Sequence, residues 1–135
     1  MSCSVSIIIP AYNAERWIGS ALESALNQTW PHTEIIVVDD GSSDNTFAVA
    51  KAYESVRLKV VRQENLGAAT ARNTAISESQ GDFIQYLDAD DLLSPNKVEE
   101  QVILLQSNPG YLAVSRAFYF LDGENPDSGL EERSG

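Results

Sequence analysis

The 135-residue chain carries twenty acidic residues against nine basic ones, a formal charge of −11, with 43% hydrophobic and 21% charged residues. These proportions belong to a soluble globular domain with enough chain for one buried core. The lack of a basic stripe argues against a nucleic-acid partner. The single Cys3 and single His32 exclude an internal disulfide, a cysteine zinc site and a His-rich metal site.

Val5 to Ile9 is β-branched and almost wholly apolar, the pattern of a strand buried on both faces. It is expected to stop at Pro10-Ala11-Tyr12-Asn13, with Asn13 capping the helix that follows. The apolar run Val5–Pro10 is too short for a signal or membrane segment. A reducing cytosol is therefore expected, with the cytoplasmic face of a membrane reached through a partner or another segment. Trp17, Ile18, Ala21, Leu22, Ala25 and Leu26 form one helical stripe, broken at Thr29-Trp30-Pro31-His32.

Glu34 to Val38 reads as a second buried strand, running into Asp39-Asp40-Gly41-Ser42-Ser43-Asp44. Ser43 or Asp44 should cap a short helix bearing Phe47, Val49, Ala50 and Tyr53. Leu58–Arg62 reads as a third, more exposed strand near a sheet edge. Gly67 opens a helix of small residues from Ala68 to Ser79, with Ala68, Ala71, Arg72, Ala75 and Ile76 expected toward the sheet. Gln80-Gly81 turns the chain into a fourth buried strand at 82–87. Ser94-Pro95 has the form of an N-cap followed by proline at the first helical position, and the helix should run to about Ser107 with Val98, Val102 and Leu105 inward. A fifth strand is expected over 111–121, and residues 122–135 read as an acidic loop or tail.

Strand–helix alternation repeated four times means an α/β fold, its sheet mostly parallel, with helices on both faces. Ligands of such sheets sit beyond the carboxyl ends of the strands. Three of those ends carry unusual polar groups: Pro10–Asn13, Asp39–Asp40 and Asp88-Ala89-Asp90-Asp91.

Three carboxylates within four residues raise one another's proton affinity, and a hard divalent cation such as Mn²⁺ or Mg²⁺ relieves the conflict. If the strand continues, alternation points Asp88 and Asp90 the same way and turns Asp91 aside. A solvated acidic turn is the plainer reading of the same residues. Asp40 can accept a hydrogen bond from a nucleotide base, or it can simply sit in a turn for which Gly41 supplies positive φ. Arg72 can pair with a phosphate, with Asp90 or with Asp40, or form a surface ion pair. Neither Gly-x-Gly-x-x-Gly nor Gly-x₄-Gly-Lys is present, so the dinucleotide and P-loop readings lack their fingerprints.

Together, Val5–Asn13, Val37–Asp44, Gly67–Asn73 and Leu87–Asp91 resemble the family 2 glycosyltransferases over roughly residues 4–121. The resemblance implies a Rossmann-like GT-A fold, with 1–121 as the nucleotide-sugar-binding part. It implies transfer of a sugar, with inversion, from a nucleotide diphosphate sugar (a UDP-sugar before a GDP-sugar) to a saccharide or lipid-linked acceptor. Pro10, Ala11, Tyr12 and Asn13 would pack around the nucleotide, Asp40 would read the base, and Arg72 would lie on the base and ribose side. Asp88, with Ala89, would meet the ribose; Asp90, with Asp88, would hold Mn²⁺ or Mg²⁺ on the diphosphate. The family's general base comes from a later segment, so these residues are expected to be the donor half alone, a truncated piece or a natural fragment. A non-catalytic nucleotide-binding module is the alternative. A homodimer is expected to cover an edge near Phe118, Tyr119 and Phe120.

Overall fold

The computed structural model describes residues 3–107 and, for the backbone, the pairs 115–116, 119–120 and 132–133. The elements are β1 (Val5–Ala11), α1 (Ile18–Leu26), β2 (Thr33–Asp39), α2 (Thr46–Lys51), β3 (Leu58–Arg62), α3 (Ala68–Glu78), β4 (Phe83–Tyr86), β5 (Asp91–Leu92) and α4 (Lys97–Ser107). The short strands β6 (Ser115–Arg116), β7 (Tyr119–Phe120) and β8 (Glu132–Arg133) follow.

β1 to β4 form one parallel sheet in the order β3-β2-β1-β4. The successive Ile7, Ile8 and Ile9 of β1 are all fully buried because both faces are covered. On one face Val5, Ile7, Ile9, Ile35, Val37 and Leu58 meet Ile18, Ala21, Leu22 and Ala25 of α1, Ala50 of α2, and Val98 and Val102 of α4. On the other, Ile8, Ile36 and Val38 meet Ala71 and Ala75 of α3, whose short side chains allow close approach. Truncating any of the three isoleucines to alanine removes packing worth about 2–5 kcal/mol.

Several sequence expectations are corrected. β1 ends at Ala11, inside the expected stretch, but Pro10 still pairs with Val38 within the strand. The imino acid is tolerated for a geometric reason. The Ala11 carbonyl bonds Asp40 N–H on the β2 side, whereas the Ile8 carbonyl bonds Leu87 N–H on the β4 side. Alternation turns position 10 toward β4, which has already ended at Tyr86, so no ladder hydrogen bond is lost. The fourth strand is not buried along its length. It pairs only with β1 among the described residues, and Ile84 and Tyr86 remain partly exposed on the α3 side. Within α3 only Ala71 and Ala75 are buried; Ala68 and Ile76 are exposed and Arg72 half-buried.

Gly81 lies so close to β1 that a Cβ would sit 2.5 Å from Ser6 Oγ. Its N–H donates to that hydroxyl, which in turn donates to Glu34, and this contact delivers the chain into β4. The fifth strand expected over 111–121 lies largely outside the described residues. Its described parts are β7, antiparallel to β5, and β6, antiparallel to β8 within the expected tail. Phe118 and the side chains of Tyr119 and Phe120, on which the expected dimer edge rests, also lie outside them.

Candidate functional site

Because the four strands are parallel, their carboxyl ends share one rim of the sheet. Ala11 stands beside Asp39 in register, and Leu87 continues from β4 into a hydrogen bond with Ile8. α3 runs back from this rim, so Gly67 and the first turns of the helix, with Arg72, start there too. Pro10–Asn13, Asp39–Asp40, Arg72 and Asp88–Asp91 are thus gathered at one edge, as the strand-end argument anticipates.

The side of the rim formed by β1 to β3 is tightly tied. Asp40 is buried, and its Oδ1 accepts from Gln63 Nε2 at 2.8 Å and from Leu66 N–H at 2.8 Å. Oδ2 accepts from Gly67 N–H at 3.0 Å and from Asn65 Nδ2 at 3.3 Å. Burial alone would raise the Asp40 pKa, but these donors outweigh it and hold the carboxyl below its ordinary value. Gly41 adopts φ +73° against this loop, where a Cβ would meet Asn65 N at 2.7 Å. Next to it, Asp39 Oδ2 faces Arg62 Nε at 3.2 Å, and the Arg62 guanidinium also donates to the Ser42 carbonyl and lies over the Phe47 ring. Arg72 forms no ion pair among the described residues, so the suggested pairing with Asp40 is not realised.

Asn13 does not cap α1, which begins at Ile18. It takes φ 48°, and its Oδ1 accepts from Ser43 N–H at 2.9 Å and from the Ser43 hydroxyl, while its own N–H donates to Ser42 Oγ at 2.9 Å. The next two amides continue the seam: Ala14 N–H donates to Thr46 Oγ1 and Glu15 N–H to Asp44 Oδ2. Asp44 also accepts from Thr46 N–H at the start of α2, but Asn45, and neither Ser43 nor Asp44, stands at the N-cap. The loop after β1 is therefore braced by the loop after β2, with Tyr12 left exposed above them.

The other side of the rim is the acidic turn. The strand does not continue through it. Asp91 N–H bonds the Asp88 carbonyl at 3.0 Å, and the turn brings one carboxylate oxygen each of Asp88, Asp90 and Asp91 within 4.8 Å of one another. Asp91 is consequently not turned aside, a correction that follows from reading a tight turn where alternation assumed a strand. Asp90 is exposed, Asp88 half-buried and Asp91 buried. The donor set consists of hard anionic oxygens only and suits Mg²⁺ or Mn²⁺.

Beyond the turn, the chain is fastened to α1 by residues that carry no local signal in the sequence. Leu93 N–H donates to Ser24 Oγ at 3.1 Å, and Thr29 N–H to the Pro95 carbonyl at 2.9 Å. Gln28, nearly buried, donates to the carbonyls of Ser24 and Ser94 and accepts from Val98 N–H at 3.0 Å, so it, and not Ser94, serves the start of α4. Lys97, the first residue of that helix, is buried, and burial pushes its ammonium pKa down against the opposing pull of Glu100.

The sequence matches the family model for glycosyl transferase family 2 over residues 6–133. The UDP-Glc:alpha-D-GlcNAc-diphosphoundecaprenol beta-1,3-glucosyltransferase WfgD of Escherichia coli is 44% identical over 105 residues, 77% of this chain and 42% of the relative. The fold superposes on S. aureus TarS residues 1–349 in complex with UDP-GlcNAc with a TM-score of 0.72 at 30% identity, over 77% of this chain and 31% of that one. It superposes on the mannosyltransferase PcManGT of Pyrobaculum calidifontis, in complex with GDP-Man and Mn²⁺, with a TM-score of 0.73 at 29% identity, over 81% and 34%. The chain spans about two-fifths of the curated relative's length and about a third of each solved one. No helix among the described residues is long and apolar enough to cross a membrane. With its rim of strand-end loops, its parallel sheet and the family match over nearly its whole length, the chain belongs to glycosyl transferase family 2.

Proposed function

We propose that this chain is the donor-binding part of an inverting, metal-dependent glycosyltransferase that moves a sugar from a UDP-sugar to an acceptor hydroxyl. The observation that carries the reading is the convergence of Asp88, Asp90 and Asp91 oxygens at the sheet rim, within 4.8 Å. In a chain of charge −11, a pyrophosphate is repelled unless a cation stands between it and these carboxylates. Asp90 and Asp88 would hold Mn²⁺ or Mg²⁺, with Asp91 supporting them from its buried position. When bound, such an ion supplies Lewis-acid stabilisation of the charge that develops on the departing diphosphate.

The remaining roles are those that the family resemblance implies, and the shared rim supports them. Pro10, Ala11, Tyr12 and Asn13 line the nucleotide side, held in shape by Ser42 and Ser43. Asp88 and Ala89 face the ribose, and Arg72 flanks the base and ribose from α3. Asp40 belongs to the base side; its carboxylate already receives four donors, so a direct bond to a base N–H requires one of them to yield. A UDP-sugar is preferred to a GDP-sugar as donor, supported by the UDP-Glc named for WfgD and the UDP-GlcNAc bound by TarS. A saccharide or lipid-linked acceptor, met at the cytoplasmic face of a membrane, accords with the diphosphoundecaprenol named for WfgD. No residue of this chain is assigned as the base that takes the acceptor proton.

Incubation with UDP-glucose or UDP-GlcNAc and Mn²⁺, scored for UDP release and for transfer to acceptor, tests the proposal. Mn²⁺-dependent UDP release supports it. Tight UDP binding with no turnover toward either donor supports the second reading, a non-catalytic nucleotide-binding module.

A further inference from the structure

We propose that Ser24 on α1 and Gln28 just after it are positioning residues for the metal-binding turn and set its affinity for a divalent cation. The inference rests on the reading of Asp88, Asp90 and Asp91 as cation ligands and assigns them a support that no ligand motif indicates.

Three like-charged carboxylates do not stay together by themselves; something must hold the backbone that carries them. At its entry the turn is pinned by Leu87 N–H on the Ile8 carbonyl, a continuation of the sheet. At its exit the parallel ladder has ended; Asp91 and Leu92 pair with β7, and a further hold comes from α1 and the residues just after it. Ser24 Oγ accepts from Leu93 N–H, two residues after Asp91, and donates to the Ala21 carbonyl, which fixes its rotamer. Gln28, one turn further along, grips both ends of the next stretch, donating to Ser94 O at 2.8 Å and accepting from Val98 N–H at 3.0 Å. Its second amide hydrogen goes to Ser24 O at 3.1 Å, so the two side chains act as one fixture. The packing agrees: Leu93 is buried in the core that α1 and α4 share.

A carboxamide is suited to this place. One group must donate to a carbonyl and accept from an amide at once, in a nearly dry position, and leaving either partner unmet costs about 1–3 kcal/mol. A buried glutamine spent wholly on backbone atoms shapes a loop. The loop here is the one that carries the ligands. Residues that orient ligands from behind typically change metal affinity by about 10–100-fold.

The test measures Mn²⁺ binding to the purified chain without nucleotide, by the free-ion electron paramagnetic resonance signal, together with UDP affinity in EDTA and thermal stability. Ser24→Ala removes the Leu93 acceptor together with the local bond to the Ala21 carbonyl, and Ser24→Thr restores a hydroxyl; Gln28→Leu removes the carboxamide at similar volume. The expected result is Mn²⁺ affinity about tenfold weaker in Ser24→Ala and Gln28→Leu, recovery in Ser24→Thr, and UDP affinity in EDTA unchanged. If Gln28→Leu fails to fold, the two Ser24 variants decide alone. Mn²⁺ affinity within twofold of wild type in the folded variants, while Asp90→Asn abolishes binding, overturns this inference and leaves the metal reading standing. Absence of Mn²⁺ binding by the wild-type chain overturns both.

Discussion

The two sides of the rim solve opposite electrostatic problems. Around Asp40 a single buried carboxylate is surrounded by donors from Gln63, Asn65, Leu66 and Gly67, and its charge is neutralised by hydrogen bonds within the chain. Around Asp88–Asp91 three carboxylates share a space of 4.8 Å, an arrangement suited to a cation. At that separation each pair repels by roughly 1 kcal/mol in water and by roughly 3 kcal/mol at an effective dielectric of about 20. The first side contributes stability to the fold; on the proposed reading, the second gives some up for binding. The aspartates of the two sides therefore fail in different ways when altered.

Among the rim residues, the largest stability effect is expected at Asp40. Asp40→Ala leaves the Leu66 and Gly67 amides without their acceptor in a part-buried place and should lower stability by about 2 kcal/mol in urea unfolding. Loss below about 1 kcal/mol would mean water replaces the carboxylate freely. Asp90→Asn should behave in the reverse way. It removes one of three clustered charges, so metal-free stability should hold or rise slightly while Mn²⁺-assisted UDP binding weakens by about a hundredfold or more. A collapse of its melting temperature would make Asp90 a structural residue.

Acid sharpens the contrast. The Asp40 carboxyl is held below its ordinary 3.8, with burial opposing and the Leu66, Gln63 and Gly67 donors prevailing. Asp44 is held down likewise: burial opposes, and the Thr46 hydroxyl and amide with the Glu15 amide prevail. A depressed folded pKa contributes stability that is complete above the unfolded value and lost as pH falls through the folded one. Stability should therefore stay level from neutral pH to about pH 5 and decline below the ordinary aspartate value. Asp40→Ala should flatten that decline, whereas Asp90→Asn should leave it in place. The smallest effect is expected at Asn13, where Asn13→Ala removes the acceptor for Ser43 and should cost about 1 kcal/mol, with weaker UDP binding in proportion to the loosened loop.

The same division governs what the sequence discloses. Periodicity located β3 at Leu58–Arg62 through its alternation of buried and exposed residues, and β1 and β2 through β-branched runs buried on both faces. The gathering of three polar strand ends followed from parallel topology alone. Partners distant in the chain were not legible. Asn13 looks like a helix cap until Ser42 and Ser43, about thirty positions away, are seen to hold it in a left-handed conformation. Asp91 looks averted until the turn at Asp88 is seen to fold it back. Gln28 gives no sign at all, since its partners are backbone atoms of another element.

The central claim is that the acidic turn holds a divalent cation that admits a nucleoside diphosphate to the rim. Calorimetric titration of the chain with UDP, once with Mn²⁺ and once with EDTA, tests it most directly. The account expects measurable affinity with Mn²⁺ and at least about tenfold weaker binding in EDTA; equal affinity under both conditions would contradict it.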